Sequence, residues 1–560
     1  MSALWHPTRE FEFRHAVHAV DPTVRPLPRG ARHAGNARGP GMHSIDAVMG
    51  ESEMEMKSLL RNSSLALPLL LGGCTVGPNF KSPQPAAVDR YTWQLPVDQT
   101  SAADVPGGNV QRFEYGEDLP AQWWTLFQSQ DLNRLVDQAI RHSPTLQAAQ
   151  ATLRAAQENL RAQRGSLLPA IDAGANAARQ KAGVATTGIT NDPLVYNVFT
   201  ANLQVSYVLD LWGQERRGNE AQAAQANYSQ YQLEAAYLTL TSNVVITALQ
   251  FASLQAQLDA TRDIIGSEEQ QLQLIQRQFQ LGAVPRADVF AAETQVAVSR
   301  ANLPALRHSL MQAQTQLARL LGRYPSELSP PNLTLGQLAL PDSLPVSLPS
   351  ALARQRPDVK AQEALLHAAS ARIGIATADM LPRLTLTGSY GGSGFEANQV
   401  FDAGATTWSV IGGLTQPIFH AGSLEARRRA ASAEYDASFA QYRDVVLHAF
   451  SDVANALNAL TNDADAVGSQ TRAMNAAQQT LALVQQQYAA GAVDQAALLI
   501  AQSQYQQSRI GYVQSVASRY QDTAALFVAL GGGWWNRGDS ATVQDTASSS
   551  PQHLTKAISG

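Results

Sequence analysis

The sequence predicts a mainly α-helical chain with membrane β-structure. Its parts are duplicated long helical hairpins and four strands per chain, too few to close a membrane barrel within one chain. Three observations lead there. Gly213, Gly282 and Gly322 recur as Gly422, Gly491 and Gly531 at one spacing (422 − 213, 491 − 282 and 531 − 322 all give 209). Two stretches, 213–282 and 422–491, contain no proline and carry apolar residues at helical period. Four other segments alternate apolar and polar residues.

Composition narrows the classes. The 560 residues are 45% hydrophobic, 7% aromatic and 16% charged, and Ala and Gln crowd the middle of the chain, which favours long helices. A net charge of −5 leaves no strongly basic face, so nucleic acid is excluded as a partner. Past residue 80 there is no run of about 18 apolar residues, which excludes a bundle of membrane-spanning helices.

The chain opens on 1–55, Pro/Gly-rich and without periodicity, which is expected to be an upstream extension absent from the mature protein. In 56–73, Lys57 and Arg61 precede the apolar stretch Leu65 to Leu71, which runs into Leu71-Gly72-Gly73-Cys74. A basic start, a short apolar run and small residues make a signal peptide. With the single cysteine, Cys74, directly behind, it resembles the bacterial lipoprotein signal, in which that cysteine is acylated. The alternative is a small buried core cysteine. An extended segment, 74–122, follows.

The two repeats are 123–322 and 357–533, joined by a Pro-rich linker, 323–356, that is not expected to be helical. Each begins with a helix of about 24 residues, 146–168 or 359–381, bounded by prolines that suit a first turn and forbid an interior one. Two strands come next. Ile171, Ala173, Ala175 and Ala177 alternate with polar or small residues, and Phe199 to Leu209 does the same. So do Leu384 to Tyr390 and Trp408 to Thr415. Beyond Gly213 and Gly422 the period lengthens: Tyr435, Phe439, Tyr442, Val446, Phe450, Val453, Leu457 and Leu460 fall three or four apart. A helix of nearly 70 residues, ~100 Å long, therefore runs to Gly282 or Gly491, and a second of about 35 residues returns. Narrow apolar stripes on such helices pack as coiled coils. The tail, 534–560, is polar and expected to be disordered.

An open sheet edge cannot stay in hydrocarbon, and four strands do not close. Two chains give eight strands around a filled interior, three give twelve and a lumen.

With these residues in view, the chain resembles the outer-membrane efflux channels of the TolC superfamily, specifically the NodT-type lipoproteins. The resemblance runs from Cys74-Thr75-Val76-Gly77-Pro78-Asn79-Phe80 through Trp123-Trp124-Thr125-Leu126-Phe127, Arg356-Pro357-Asp358-Val359, Ile373-Gly374 and Gln416-Pro417-Ile418-Phe419 to Leu530-Gly531-Gly532-Gly533-Trp534. It implies the outer-membrane exit duct of a tripartite efflux system, which passively conducts drugs or other toxic solutes. It also implies a homotrimer in which the long hairpins form an α-barrel and four strands per chain contribute to a trimeric twelve-stranded β-barrel, a helical tunnel in the periplasm, a periplasmic adaptor, an inner-membrane pump, outer-membrane lipid and a lipid on Cys74. The resemblance further places the adaptor-contacting tips at Gly282-Ala283-Val284 and Gly491-Ala492-Val493. Asp494 matches an acidic position where family members constrict the pore, and three copies would form a carboxylate ring. The plainer reading of Asp494 is an exposed helix N-cap. Pro285 and Pro304 have no proline counterpart in the second half, and Asp288 is matched by Ala497.

No arrangement supports catalysis, a cofactor or a metal. Five of the eleven histidines lie before residue 56, the others are scattered, and no Gly-rich phosphate loop follows a strand. Two other classes compete with a duct. A lipid-anchored coiled-coil scaffold would need no apolar face on four bilayer-length strands. A periplasmic adaptor would need small β-rich domains flanking one hairpin.

Overall fold

A computed structural model describes residues 75–84, 88–94, 97–182 and 194–538. Cys74, the signal 56–73, the stretch 1–55 and the chain beyond 538 lie outside the described residues. In chain order the elements are β1 (Arg112–Tyr115), α1 (Gln130–His142), α2 (Pro144–Gly165), β2 (Ala170–Ala182), β3 (Leu194–Leu209), α3 (Gln214–Gln280) and α4 (Arg286–Leu320). There follow β4 (Ser343–Val346), α5 (Pro349–Gln355), α6 (Pro357–Ala378), β5 (Arg383–Gly394), β6 (Thr406–Thr415), α7 (Ser423–Ala489) and α8 (Gln495–Ala529). The duplicated hairpins and the four strands of the expected fold class are all present.

The match between the halves extends to single residues. α3 and α7 are each 67 residues long, α4 and α8 each 35. Gly213 and Gly422 precede the long helices with φ of 79° and 78°, a left-handed conformation in which glycine is relaxed. α2 and α6 both start on a proline and stop about one turn before Pro169 and Pro382. One stretch of α3 is apolar and long enough to cross a membrane, but more than half of it is buried inside the fold, as befits a core helix.

Four of the strands form one antiparallel sheet, ordered β2-β3-β5-β6, so the hairpin of each half lies beside the other's. Register sorts the side chains. Leu203 opposes Tyr390, which opposes Trp408, and Val205, Leu386, Val410 and Leu414 share that apolar face. Trp408, Val410, Leu414 and Ile171 are more than two-thirds exposed. The opposite face is polar, and there the Ser389 and Ser409 hydroxyls bond across the strands at 2.8 Å. Among the described residues, β2 and β6 each have a strand on one side only.

The main core sits where α1, α3 and α8 meet the linker. Trp123, Phe127, Leu132, Leu249, Leu317 and Phe527 are fully buried in it. The Trp123 and Trp124 rings meet edge-on at 6.0 Å, and Phe527 lies 5.8 Å from Trp123. Each such side chain contributes about 1.5–3 kcal/mol of burial.

Three expectations need correction. The linker 323–356 is partly regular: β4 pairs in parallel with β1, and α5 packs beside α6. Pro345 fits inside β4 because the amides of Arg112 and Gly116 bond the carbonyls of Asp342 and Val346 on either side of it. The tail does not turn disordered at 534, since residues 534–536 form a 3-10 turn. The Trp534 indole donates to the Gln355 carbonyl, and the Arg537 guanidinium lies 4.3 Å over the Tyr237 ring. Finally, α1 is an additional helix ahead of α2, capped by Ser129 and burying Leu132, Leu135, Val136 and Ala139.

Candidate functional site

The hairpin turns are built alike. Ala283 N–H donates to the Gln278 carbonyl (2.8 Å) and Gly282 N–H to Phe279 (2.9 Å), while Ala492 and Gly491 bond Gln487 and Tyr488 in the same pattern. Such a turn closes on a left-handed residue, and Gly282 and Gly491 supply it at φ of 74° and 75°. Beyond the turns the tips differ. At the first, Val284 packs on a small cluster of Ile275, Val289 and Ala292, Leu281 stands 85% exposed, and Arg286 lies 5.1 Å over the Phe290 ring. At the second, Leu498 is fully buried, and Gln495 is buried with neither amide atom bonded among the described residues.

Asp494 is exposed and caps α8, its Oδ1 accepting from Ala497 N–H at 2.9 Å. α4 has Pro285 at the same place and no side-chain cap. The two tips adjoin within one chain. Burial pushes the Tyr488 hydroxyl above its ordinary range, and the nearby Asp288 carboxylate adds to that. Higher up, Arg509 of α8 donates to Asp263 of α3 at 2.7 Å and Gln514 to Gln257 at 3.1 Å. Behind this clasp lies a cavity of about 140 Å³ lined by Asp263, Glu268, Gln502 and Tyr505. No local pattern marks these pairs, because their members lie more than 240 residues apart.

At the other end of the helices, the residues just after Cys74 are pinned. Val76 N–H bonds the Trp212 carbonyl at 3.0 Å, directly below the end of β3. Gly77 takes φ of 87° against α6, where a Cβ would stand 2.4 Å from the Gly374 Cα. Arg217 gathers the segment: its guanidinium donates to the carbonyls of Val76 and Gly77, to Asn79 and to Glu220. Phe80 stacks on His367 at 4.3 Å, and His367 bonds Glu220 at 2.9 Å. The signal for this clamp is the text 76–80 together with Ile373-Gly374.

Among the described residues no group of three or more His, Cys, Asp or Glu is placed to hold a metal ion. The arrangement is that of a long helical layer carrying an amphipathic sheet at one end and two exposed turns at the other.

The profile of the family described as Outer membrane efflux protein matches residues 135–323 and 348–532. The pyoverdine export outer membrane protein OpmQ of Pseudomonas putida is 32% identical over 432 residues, 76% of this chain and 90% of that protein. The outer membrane protein OprJ of Pseudomonas aeruginosa is 29% identical, with coverage of 84% and 95%. Among solved structures, the outer-membrane channel OprN superposes with a TM-score of 0.74 at 28% identity, covering 82% of this chain and 100% of that one. The open state of the Neisseria gonorrhoeae outer membrane channel MtrE gives 0.70 at 26% identity, with coverage of 82% and 99%.

Proposed function

The chain belongs to the outer membrane efflux protein family, and from that premise we propose that three copies close into one continuous duct. The protein itself is an outer-membrane efflux channel. The observation that carries the trimer is the four-stranded sheet with its outer edges free: β2 and β6 each lack a second neighbour among the described residues. Unpaired backbone amides and carbonyls are prohibitive in hydrocarbon. β6 of one copy pairs with β2 of the next, twelve strands close, and the polar face lines the lumen. The helical layer fits the same closure, since α7 packs chiefly on α6 and α8 and leaves Leu447 and Leu483 exposed.

The hairpin tips, Gly282-Ala283-Val284 and Gly491-Ala492-Val493, contact a periplasmic adaptor, which links the duct to an inner-membrane pump. The exposure of Gly282, Ala283, Gly491 and Ala492, and of Leu281 beside the first tip, supports this. Asp494 of three copies forms the narrow ring. In support, Asp494 is exposed and its cap bond occupies only one carboxylate oxygen. Cys74 carries the lipid. In support, Thr75 and Val76 sit beneath the end of β3, so acyl chains on the preceding residue reach the membrane, at ~0.8 kcal/mol per buried CH₂. The cargo is a small organic solute such as a drug, as relatives named for toluene or antibiotic efflux suggest. The divisions 123–322 and 357–533 serve as two copies of one duct-wall unit.

The deciding measurement is single-channel conductance of the purified protein in planar bilayers, with Asp494→Ala beside the wild type. A small conductance that grows or loses cation preference in the variant is expected. A conductance indifferent to the substitution removes Asp494 from the gate, and silence from inserted protein speaks against an open duct.

A further inference from the structure

The sheet has one end at the helices and a far end, where β2 and β5 stop and β3 and β6 start. At the far end the chain between β5 and β6 folds onto the apolar face of the sheet. Val400, in the middle of that loop, is buried, and a Cβ on Gly392 would stand 1.8 Å from its carbonyl oxygen. A Cβ on Gly394 would stand 2.8 Å from the Gln399 Cβ. Side chains at 392 and 394 would therefore lift the loop off the sheet.

The seated loop walls a groove of about 530 Å³. Ala173, Ala175, Leu203 and Tyr390 line it from the sheet, Val400 and Phe401 from the loop. Register sets Ala173 opposite Leu203 and Leu203 opposite Tyr390, on the face that carries Trp408, Val410 and Leu414. By the two-residue period of a strand, the same face of β2 continues as Ala177, Arg179 and Lys181. Both cations are exposed, and neither meets a carboxylate among the described residues. The duplication does not repeat them: 213 residues on, at the offset that relates Pro169 to Pro382, stand Gly392 and Gly394.

A tilted strand crosses the hydrocarbon in about 9–11 residues. Arg179 is the tenth residue of β2 and Gly392 the tenth of β5, each counted from the helical end. Loop and cations thus share one level, the outer rim of the apolar band, and the groove descends from it. Phe395 and Phe401, both exposed, belong to the same loop, where aromatic side chains border a membrane. The loop also carries exposed Glu396 and Asp402, so it supplies an apolar wall while β2 supplies the positive charge.

We propose that this groove holds an acyl chain of a phosphorylated lipid of the outer leaflet, with its phosphate on Arg179 and Lys181. The proposal rests on the reading that the apolar face of the sheet meets lipid. Charge selects the occupant: a guanidinium and an ammonium above an apolar groove match a phosphate above a hydrocarbon chain, the guanidinium taking two phosphate oxygens at once. Continuity selects it as well. The groove opens on the face where Trp408, Val410 and Leu414 are exposed, so a chain enters sideways from the bilayer and stays in hydrocarbon throughout. Each chain carries one such site, because only the first half has the cations and only the second has the loop.

The test is native mass spectrometry of the full-length protein in detergent with added lipid A, a diphosphorylated acylated disaccharide. Wild type is compared with the double variant Arg179→Ala/Lys181→Ala and with Ala175→Phe, which fills the groove. Retention of lipid A by the wild type is expected, with about tenfold weaker binding in either variant and to dephosphorylated lipid A. Equal retention by wild type and the double variant overturns the site. Retention undiminished by Ala175→Phe, or displacement by inorganic phosphate alone, reduces it to a surface anion contact and overturns it too. If Ala175→Phe does not fold, the exposed double variant decides alone. Fluorescence in bilayers of brominated lipid separates this outcome from the reading beneath it. Quenching that Trp408→Phe removes shows the apolar face in lipid, and retention indifferent to the cations then sinks the site alone. Quenching unchanged by Trp408→Phe sinks the membrane-facing sheet, and the site with it.

Discussion

The two hairpins agree in length to the residue and disagree in what they bury. α3 has more than twice as many buried residues as α7, because it lies among α1, α2, α4, α6 and α8 while α7 packs chiefly on α6 and α8. Between the returning helices the balance reverses: α8 has the fully buried Leu498, Arg519 and Phe527, whereas α4 is largely exposed and carries Pro304 in its interior. A duplicated sequence therefore does not give duplicated surroundings. Each copy has adapted its charges, caps and breaks to its place in the wall.

That contrast breaks most sharply at Arg519. Its counterpart is Leu310, so Arg519→Leu makes the second hairpin resemble the first. It also strips donors from Gln111, Thr100 and two carbonyls and leaves Asp463 without a cation. A loss of about 3–5 kcal/mol is expected in chemical or thermal unfolding, against under about 1.5 kcal/mol for Leu310→Met. Next comes the exchange of proline. Val513 of α8 stands where α4 has Pro304, and Val513→Pro is expected to cost about 3 kcal/mol, while Pro304→Ala is expected to raise the melting temperature. Leu498→Ala is expected to cost about 2–4 kcal/mol, and Val289→Ala at the matching site of the first tip less, as a smaller side chain is removed. The smallest effect is at the caps. Asp494→Ala should lose ~1 kcal/mol, and Pro285→Asp should gain a few tenths, since it installs the cap that α4 lacks. Helix content against temperature reads all four pairs, and equal responses within a pair would erase the distinction drawn between the hairpins.

Much of this was legible in the sequence because the signals are local. Glycines at 213, 282, 422 and 491 mark helix ends by conformational need, the absence of proline between them permits 67 uninterrupted residues, and alternation at 199–209 and 384–390 gives strands and their faces. Asp494 as a cap was equally readable from its place before α8. α1 shows the same helical spacing in Leu132, Leu135, Val136 and Ala139, over a stretch too short to stand out beside the repeat. The rest depends on distant partners. β1 and β4 are four residues each and exist only because they meet. The holds of Arg217 on 76–79 and of Arg519 on 100–111 join segments more than 130 residues apart, where periodicity is silent.

The equal lengths of α3 and α7, and of α4 and α8, also set what kinds of change the protein tolerates. A substitution alters one contact, but a single inserted residue in one long helix turns everything beyond it by ~100° and moves it ~1.5 Å along the axis. The stripe that faced its neighbour then faces away, and one tip no longer ends level with the other. The wall is thus a vernier of matched rulers: it forgives changes of composition and forbids changes of count, unless the count changes in both halves together.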